Sequence, residues 1–152
     1  MQKLIGTTND RSLLLIRLMV GFVFLSEGIQ KFLFPAVRGA GRFEKLGFSD
    51  PDFLSAFVGS VEVAGGVLIL AGLLTRIGAV PLFLIMIVAI STTKVDILAD
   101  KGMWEMLHAA RTDWSMLLGS LFLLIKGGGR WSADWYWQHH ANLSTSQNRN
   151  QQ

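Results

Sequence analysis

A chain of 152 residues that is 51% hydrophobic, with a positive mean hydropathy of +0.41 and only 16% charged residues, falls short of the quarter or so of charge a soluble domain carries. Its net charge of +3 is scattered among loops with no basic stripe, which argues against nucleic acid as a partner. The absence of cysteine excludes disulfides, iron–sulfur clusters, thiolate metal sites and a CxxC redox pair within the chain.

The fold class that remains is an all-α membrane protein. Four apolar spans, at about 13–34, 53–74, 77–95 and 104–126, fit one domain over residues 1–137, with a polar tail at 138–152. They leave no room for a separate soluble catalytic domain. Lys3 and Arg11 ahead of Leu13 imitate a secretory signal. The apolar run, however, is too long and ends in Glu27, Lys31 and Pro35 without a small-residue cleavage site, so it is expected to stay as the first span.

Asn9, Asp10 and Ser12 supply capping oxygens for the first helix, and Pro35 ends it, because the residue before a proline is pushed out of the helical region. The loop from Ala36 is polar and glycine-rich, with a Phe43–Phe48 stretch suited to the interface. Ser49-Asp50-Pro51-Asp52 then signals a helix start. The second span closes at Gly72–Arg76 in so short a turn that the second and third helices become antiparallel neighbours. Pro81 falls in the first turns of the third helix, and Asp96–Gly102 reads as a loop.

The fourth helix begins near Met103 and carries Glu105, His108, Arg111 and Asp113 in its first half. Gly127-Gly128-Gly129 stops it, and Trp131, Trp135, Tyr136 and Trp137 follow as an aromatic belt at headgroup level. The Ser/Asn/Gln-rich tail from Asn142 has the composition of a disordered segment, and His139-His140 carries no signal beside it. An even number of spans puts both termini on one side. Basic residues divide evenly between the two sides, and the termini are assigned to the cytoplasm.

In this topology the ionisable residues concentrate in one half of the four-helix bundle. Glu27 and Glu62 lie roughly 10–14 Å below the face on which the first helix ends. Lys31, Thr92, Thr93, Asp96, His108 and Arg111 lie above or around them. Glu27 and Lys31 are i,i+4 neighbours in the favourable order and are expected to pair. Arg17, Gly21, Phe24, Gly28 and Lys31 form one stripe, and Gly59, Glu62, Gly66, Ile69 and Leu73 another; small residues on such stripes let helices approach closely. His108, Arg111 and Ser115 share a face of the fourth helix. A buried ion network that fixes helix register accounts for these charges as well as a site for protons or a polar ligand head does, although ionisable groups at membrane depth usually mark function.

With these residues in view, the chain resembles the DoxX family of small four-helix membrane proteins. The resemblance rests on Arg17-Leu18-x-x-Gly21-x-x-Phe24-Leu25-x-x-Gly28-x-x-Lys31-Phe32 and on Gly59-x-x-Glu62-x-x-Gly65-Gly66, continued by Gly72-Leu73-x-Thr75-Arg76. Its third piece is Gly127-x-Gly129-Arg130-Trp131-Ser132-x-Asp134. It implies a four-helix bundle in a bacterial cytoplasmic (inner) membrane, associated with oxidoreductase systems that are quinone-linked or serve thiosulfate oxidation or oxidative stress. Relatives of the DoxD type work with a separate partner subunit.

Two functions follow as expectations. In the first, the chain is a quinone-binding subunit of a membrane oxidoreductase. Glu62, His108 and Arg111 then act at the quinone carbonyls, Glu27, Lys31 and Asp96 bind and tune, and no metal takes part. Having no electron carrier of its own, it receives electrons from a redox partner subunit or a reduced small molecule; whether it is itself an enzyme stays open. In the second, it is a non-enzymatic assembly factor or a small-solute or proton carrier. Lipid is a partner in both, and a homo-oligomer is compatible with both.

Overall fold

The structure, a computed structural model, describes residues 7–139; Lys3, His140 and the tail from Asn142 lie outside them. The described residues form α1 (Leu13–Leu33), the short α2 (Ala40–Lys45), α3 (Pro51–Ala71), α4 (Thr75–Lys101) and α5 (Met103–Lys126), with a last helical stretch at 133–139 and no strand among them. Three helices, α1, α3 and α4, are long and apolar enough to cross a membrane. The first half of α5 is too charged to meet that measure.

Local chemistry explains the boundaries. The amide and hydroxyl of Ser12 both donate to Asp10 Oδ1, at 2.9 and 2.8 Å, and hold that carboxyl below its ordinary pKa. Phe34, ahead of Pro35, closes α1 by donating to the Gln30 carbonyl. Asp50 caps α3 by accepting from Phe53 N at 3.2 Å, with Pro51 in the first turn, where a missing N–H costs nothing. Gly72, at φ +67°, ends α3 in the left-handed conformation that glycine enters freely.

The expected loop at Asp96–Gly102 does not form. α4 continues through Asp96 and Asp100 to Lys101, and Gly102 alone, at φ +82°, separates it from α5. The stretch is polar, but it holds no proline or glycine before Gly102. Polarity without a breaker ends a membrane span and leaves the helix intact.

The helices pack as two intimate pairs, α1 on α3 and α4 on α5, which meet each other more lightly through α3–α4 and α1–α5. Glycines set the first contact. A Cβ on Gly28 would lie 2.8 Å from the Gly59 carbonyl, and one on Gly66 would lie 2.8 Å from Leu25 N. The two stripes expected to turn inward therefore face each other. Val20, Phe24, Ile69, Leu82, Met116 and Leu123 form the core between the pairs. Leu15, Phe22, Phe53, Leu118 and Ile125 are each more than half exposed, a surface suited to lipid.

One end of the molecule is locked by Arg17 of α1 and by Ser132 and Asp134 of the segment after α5, all buried. Arg17, 2% exposed, donates to the carbonyls of Ile69 (2.8 Å), Leu70 (2.5 Å), Gly128 (3.2 Å) and Trp131 (2.6 Å). Asp134 is equally buried and accepts from Leu74 N at 2.7 Å and Thr75 N at 2.9 Å, the first free amides of α4. Ser132 donates to the Gly129 carbonyl at 2.6 Å. A clasp of residues 127–134 thus ties together the start of α1, the end of α3 and the start of α4. Trp131, Tyr136 and Trp137 stay exposed on it, with Arg11 over the Trp131 ring and Arg130 over Trp135.

Candidate ligand site between the helix pairs

At the other end the pairs part, leaving a cavity of about 660 Å³. That volume is in the range of small-molecule sites. Its deeper wall is apolar: Val23 and Phe24 on α1, Val61 on α3, Ile85 and Met86 on α4, Met116 on α5. Polar groups gather on the side toward the α1–α3 connection, where Glu27, Lys31, Arg38, Arg42, Glu62, Thr92, Thr93, Lys94 and Asp113 line it.

The centre of this polar side is an ion pair between helices. Lys31 Nζ lies 2.5 Å from Glu62 Oε2, with the two side chains 10% and 3% exposed. Lys31 therefore does not pair with Glu27. The Gly28–Gly59 contact brings the backbones of α1 and α3 so close that the lysine reaches across to the next helix. Glu27 turns toward the loop and faces Arg38 Nη1 at 3.9 Å, both side chains being well exposed. A second pair, Lys94 with Asp113 at 2.9 Å, joins α4 to α5 at the cavity rim. Thr92 and Thr93 donate to the Val88 and Ala89 carbonyls at 2.8 and 2.6 Å, which leaves their oxygens able to accept.

Glu27, Lys31 and Glu62 are thus brought together as the sequence suggests, but His108, Arg111 and Asp96 are not. All three are exposed and none lines the cavity. Arg111 Nη1 donates to the His108 carbonyl at 2.7 Å, and Ser115 to the Arg111 carbonyl at 2.8 Å, so their shared face is real but points outward. α5 buries Ala110, Met116, Gly119, Ser120 and Leu123, and turns Thr112 and Asp113 to the cavity. Arg111 is about 200° round the helix from Asp113. Asp96 lies beyond the cavity on the prolonged α4. Arg38, Arg42, Lys94 and Asp113 are lining charges that the sequence pattern does not assign to the site; Lys94 and Asp113 carry a signal only once α4 is known to run on beside α5. No group of three metal-ligating side chains occurs among the described residues.

The fold and site define a small membrane protein whose helices line a largely apolar cavity with one polar side, toward a glycine-rich connection. The DoxX family profile matches residues 12–95, and the chain belongs to that family. It is 50% identical over 138 residues to the "Uncharacterized membrane protein Rv3486" of Mycobacterium tuberculosis, covering 87% of this chain and 85% of that protein. It is 32% identical over 115 residues to the "Putative oxidoreductase CatD" of Bacillus subtilis, covering 75% and 78%. No solved structure matches it.

Proposed function

We propose that the cavity holds the head of a quinone and that the chain is the quinone-binding subunit of a membrane oxidoreductase system, with α5 as a fourth span beside α1, α3 and α4. The observation that carries this reading is the Lys31–Glu62 pair set in the wall of an otherwise largely apolar cavity. A quinone ring needs an apolar slot, a donor for its carbonyl and a group that exchanges protons. The Lys31 ammonium is such a donor, Glu62 is such an exchanger, and the threonine oxygens accept. A bound quinone supplies the capacity to take up electrons and protons.

The chain's own part is to hold the head, keep water from its apolar side and move a proton at the Glu62 carboxylate. Electrons come from a partner subunit or a small reductant. Similarity to a relative named as an oxidoreductase supports the redox setting, and the bacterial source of both relatives supports a cytoplasmic membrane. Both termini are read as cytoplasmic.

Quinone titration of the protein in lipid nanodiscs, followed by tryptophan quenching, tests this. Lys31→Met is expected to weaken binding at least tenfold, about 1.4 kcal/mol. Glu62→Gln should fold and bind but lose quinone-coupled turnover with the partner, because the amide keeps the shape and exchanges no proton. Absence of binding by the parent chain, or equal binding by Lys31→Met, overturns the reading. Uptake of a polar solute by proteoliposomes would favour a carrier instead.

A further inference from the structure

α3 and α4 are joined by a short turn and are closed only near it. There a Cβ on Gly65 would lie 2.9 Å from Leu82 Cγ, and one on Gly78 would lie 3.3 Å from Leu68 Cβ. Farther from the turn the two helices cease to fill the space between them, and Phe57 on α3 and Leu84 and Val88 on α4 line the cavity. These same residues are 56%, 53% and 53% exposed. Apolar wall residues that are more than half exposed mark a place where the cavity is open and not enclosed.

Which phase lies outside follows from the helices that flank the gap. Both α3 and α4 are long and apolar enough to cross a membrane, so the gap between them looks onto hydrocarbon. Pro81, itself on the cavity wall, lies inside α4 and removes the bond to the Ile77 carbonyl, the usual place for a helix to leave a straight course. Toward the α1–α3 connection, Phe43 and Phe48, with rings 5.7 Å apart, give the cavity a further apolar lining.

We propose that a long-chain amphiphile enters the cavity sideways from the bilayer, between α3 and α4, setting its polar head at Lys31–Glu62 while its chain leaves past Phe57, Leu84 and Val88 into lipid. This rests on the reading of the cavity as a quinone site and narrows it: the ligand is a lipid-dissolved, long-tailed quinone and not a water-soluble one.

Because the chain has no cysteine, a single Val61→Cys on the cavity wall reports on access. In nanodiscs, its reaction with a long-chain alkyl methanethiosulfonate dissolved in the lipid should slow at least fivefold when Leu84→Trp or Val88→Trp is added. Ser60→Cys, at an exposed position of α3, should react equally in both backgrounds and controls for delivery of the reagent, while an unchanged thermal transition shows that the variants are folded. An unchanged Val61→Cys rate overturns the side opening. In parallel, Leu84→Trp should weaken a long-tailed quinone at least tenfold more than the same head without its tail, while Lys31→Met weakens both. Gated thiol reaction with no effect of Lys31→Met removes the quinone reading and leaves the opening standing. Ungated reaction with Lys31-dependent binding removes the opening alone.

Discussion

Replacing Arg17 by methionine removes a cation that holds four carbonyls at the closed end of the molecule. A hydrogen bond to a charged group contributes roughly 1.5–3 kcal/mol, so a naive sum over four would reach about 6–12 kcal/mol. Two facts reduce it. The Ile69 carbonyl keeps a second donor, Gly72 N, at 3.1 Å, and losing the guanidinium also removes the penalty of burying it. A destabilisation of about 3–5 kcal/mol is expected, in line with breaking other buried charged groups, and a large share of the roughly 5–15 kcal/mol that holds a typical protein folded. Arg17→Lys should recover only a part, because a single ammonium lacks the planar fork that reaches carbonyls on two sides. Denaturant titration in mild detergent, read by tryptophan emission and by protease cleavage within residues 127–139, measures both. If Arg17→Met unfolds within about 1 kcal/mol of the parent, below the value of even one such bond, the clasp is not what closes this end.

Three further outcomes follow. Lys31→Met and Glu62→Met should each destabilise by about 3–5 kcal/mol by stranding a buried charge, whereas the double variant should regain most of the loss; a double variant no better than the singles in the same titration would show that the pair is not coupled. Gly66→Leu has no room against Leu25 N and the Gly21 carbonyl and should loosen the α1–α3 contact by at least about 2 kcal/mol, while Ala64→Leu, exposed on the same helix, should change stability little; equal melting of the two would refute the close approach. Trp131, exposed with Arg11 over its ring, and Trp137, also exposed, should lie at the headgroups; quenching of single-tryptophan variants by lipids brominated at different depths checks this, and emission typical of bulk water or of the hydrocarbon centre would contradict it.

The inward stripes of α1 and α3 were legible because they are written in glycine, which leaves a trace at a spacing of four and three whatever its partner. The pairing of Lys31 was not. Glu27 is its nearest carboxylate along the helix, but the approach that favours Glu62 is made by Gly28 and Gly59, and no local rule weighs a contact across helices against one within a helix. The face of α5 was misjudged for a related reason: polar residues on a membrane helix suggest an interior, yet His108 and Arg111 flank the buried Ala110 and are themselves exposed, in the polar first half of the helix where outward polarity costs little. Arg17 and Asp134 are far apart in sequence, and Arg17 falls within the residues the family profile matches while Asp134 does not. Spacing puts Arg17 on the inward stripe of α1 but names no partner for it, since its joint role with Asp134 exists only once α3 and α4 have closed.

α4 has 27 residues and so rises about 40 Å, against a hydrocarbon layer of about 30 Å. Even with some tilt, its final turns must stand clear of the acyl chains, and because Gly102 is the sole break before α5, the opening turns of that helix stand beside them. Asp96, Asp100, Lys101 and Glu105 are thereby mounted on a rigid headland with Trp104, 84% exposed, at its tip. A flexible loop would let these charges follow the water boundary as the membrane thickens or thins. A helical promontory fixes their height, so a change in bilayer thickness must be answered by tilting the α4–α5 pair as one body, and the protein should be sensitive to the lipids in which it is reconstituted.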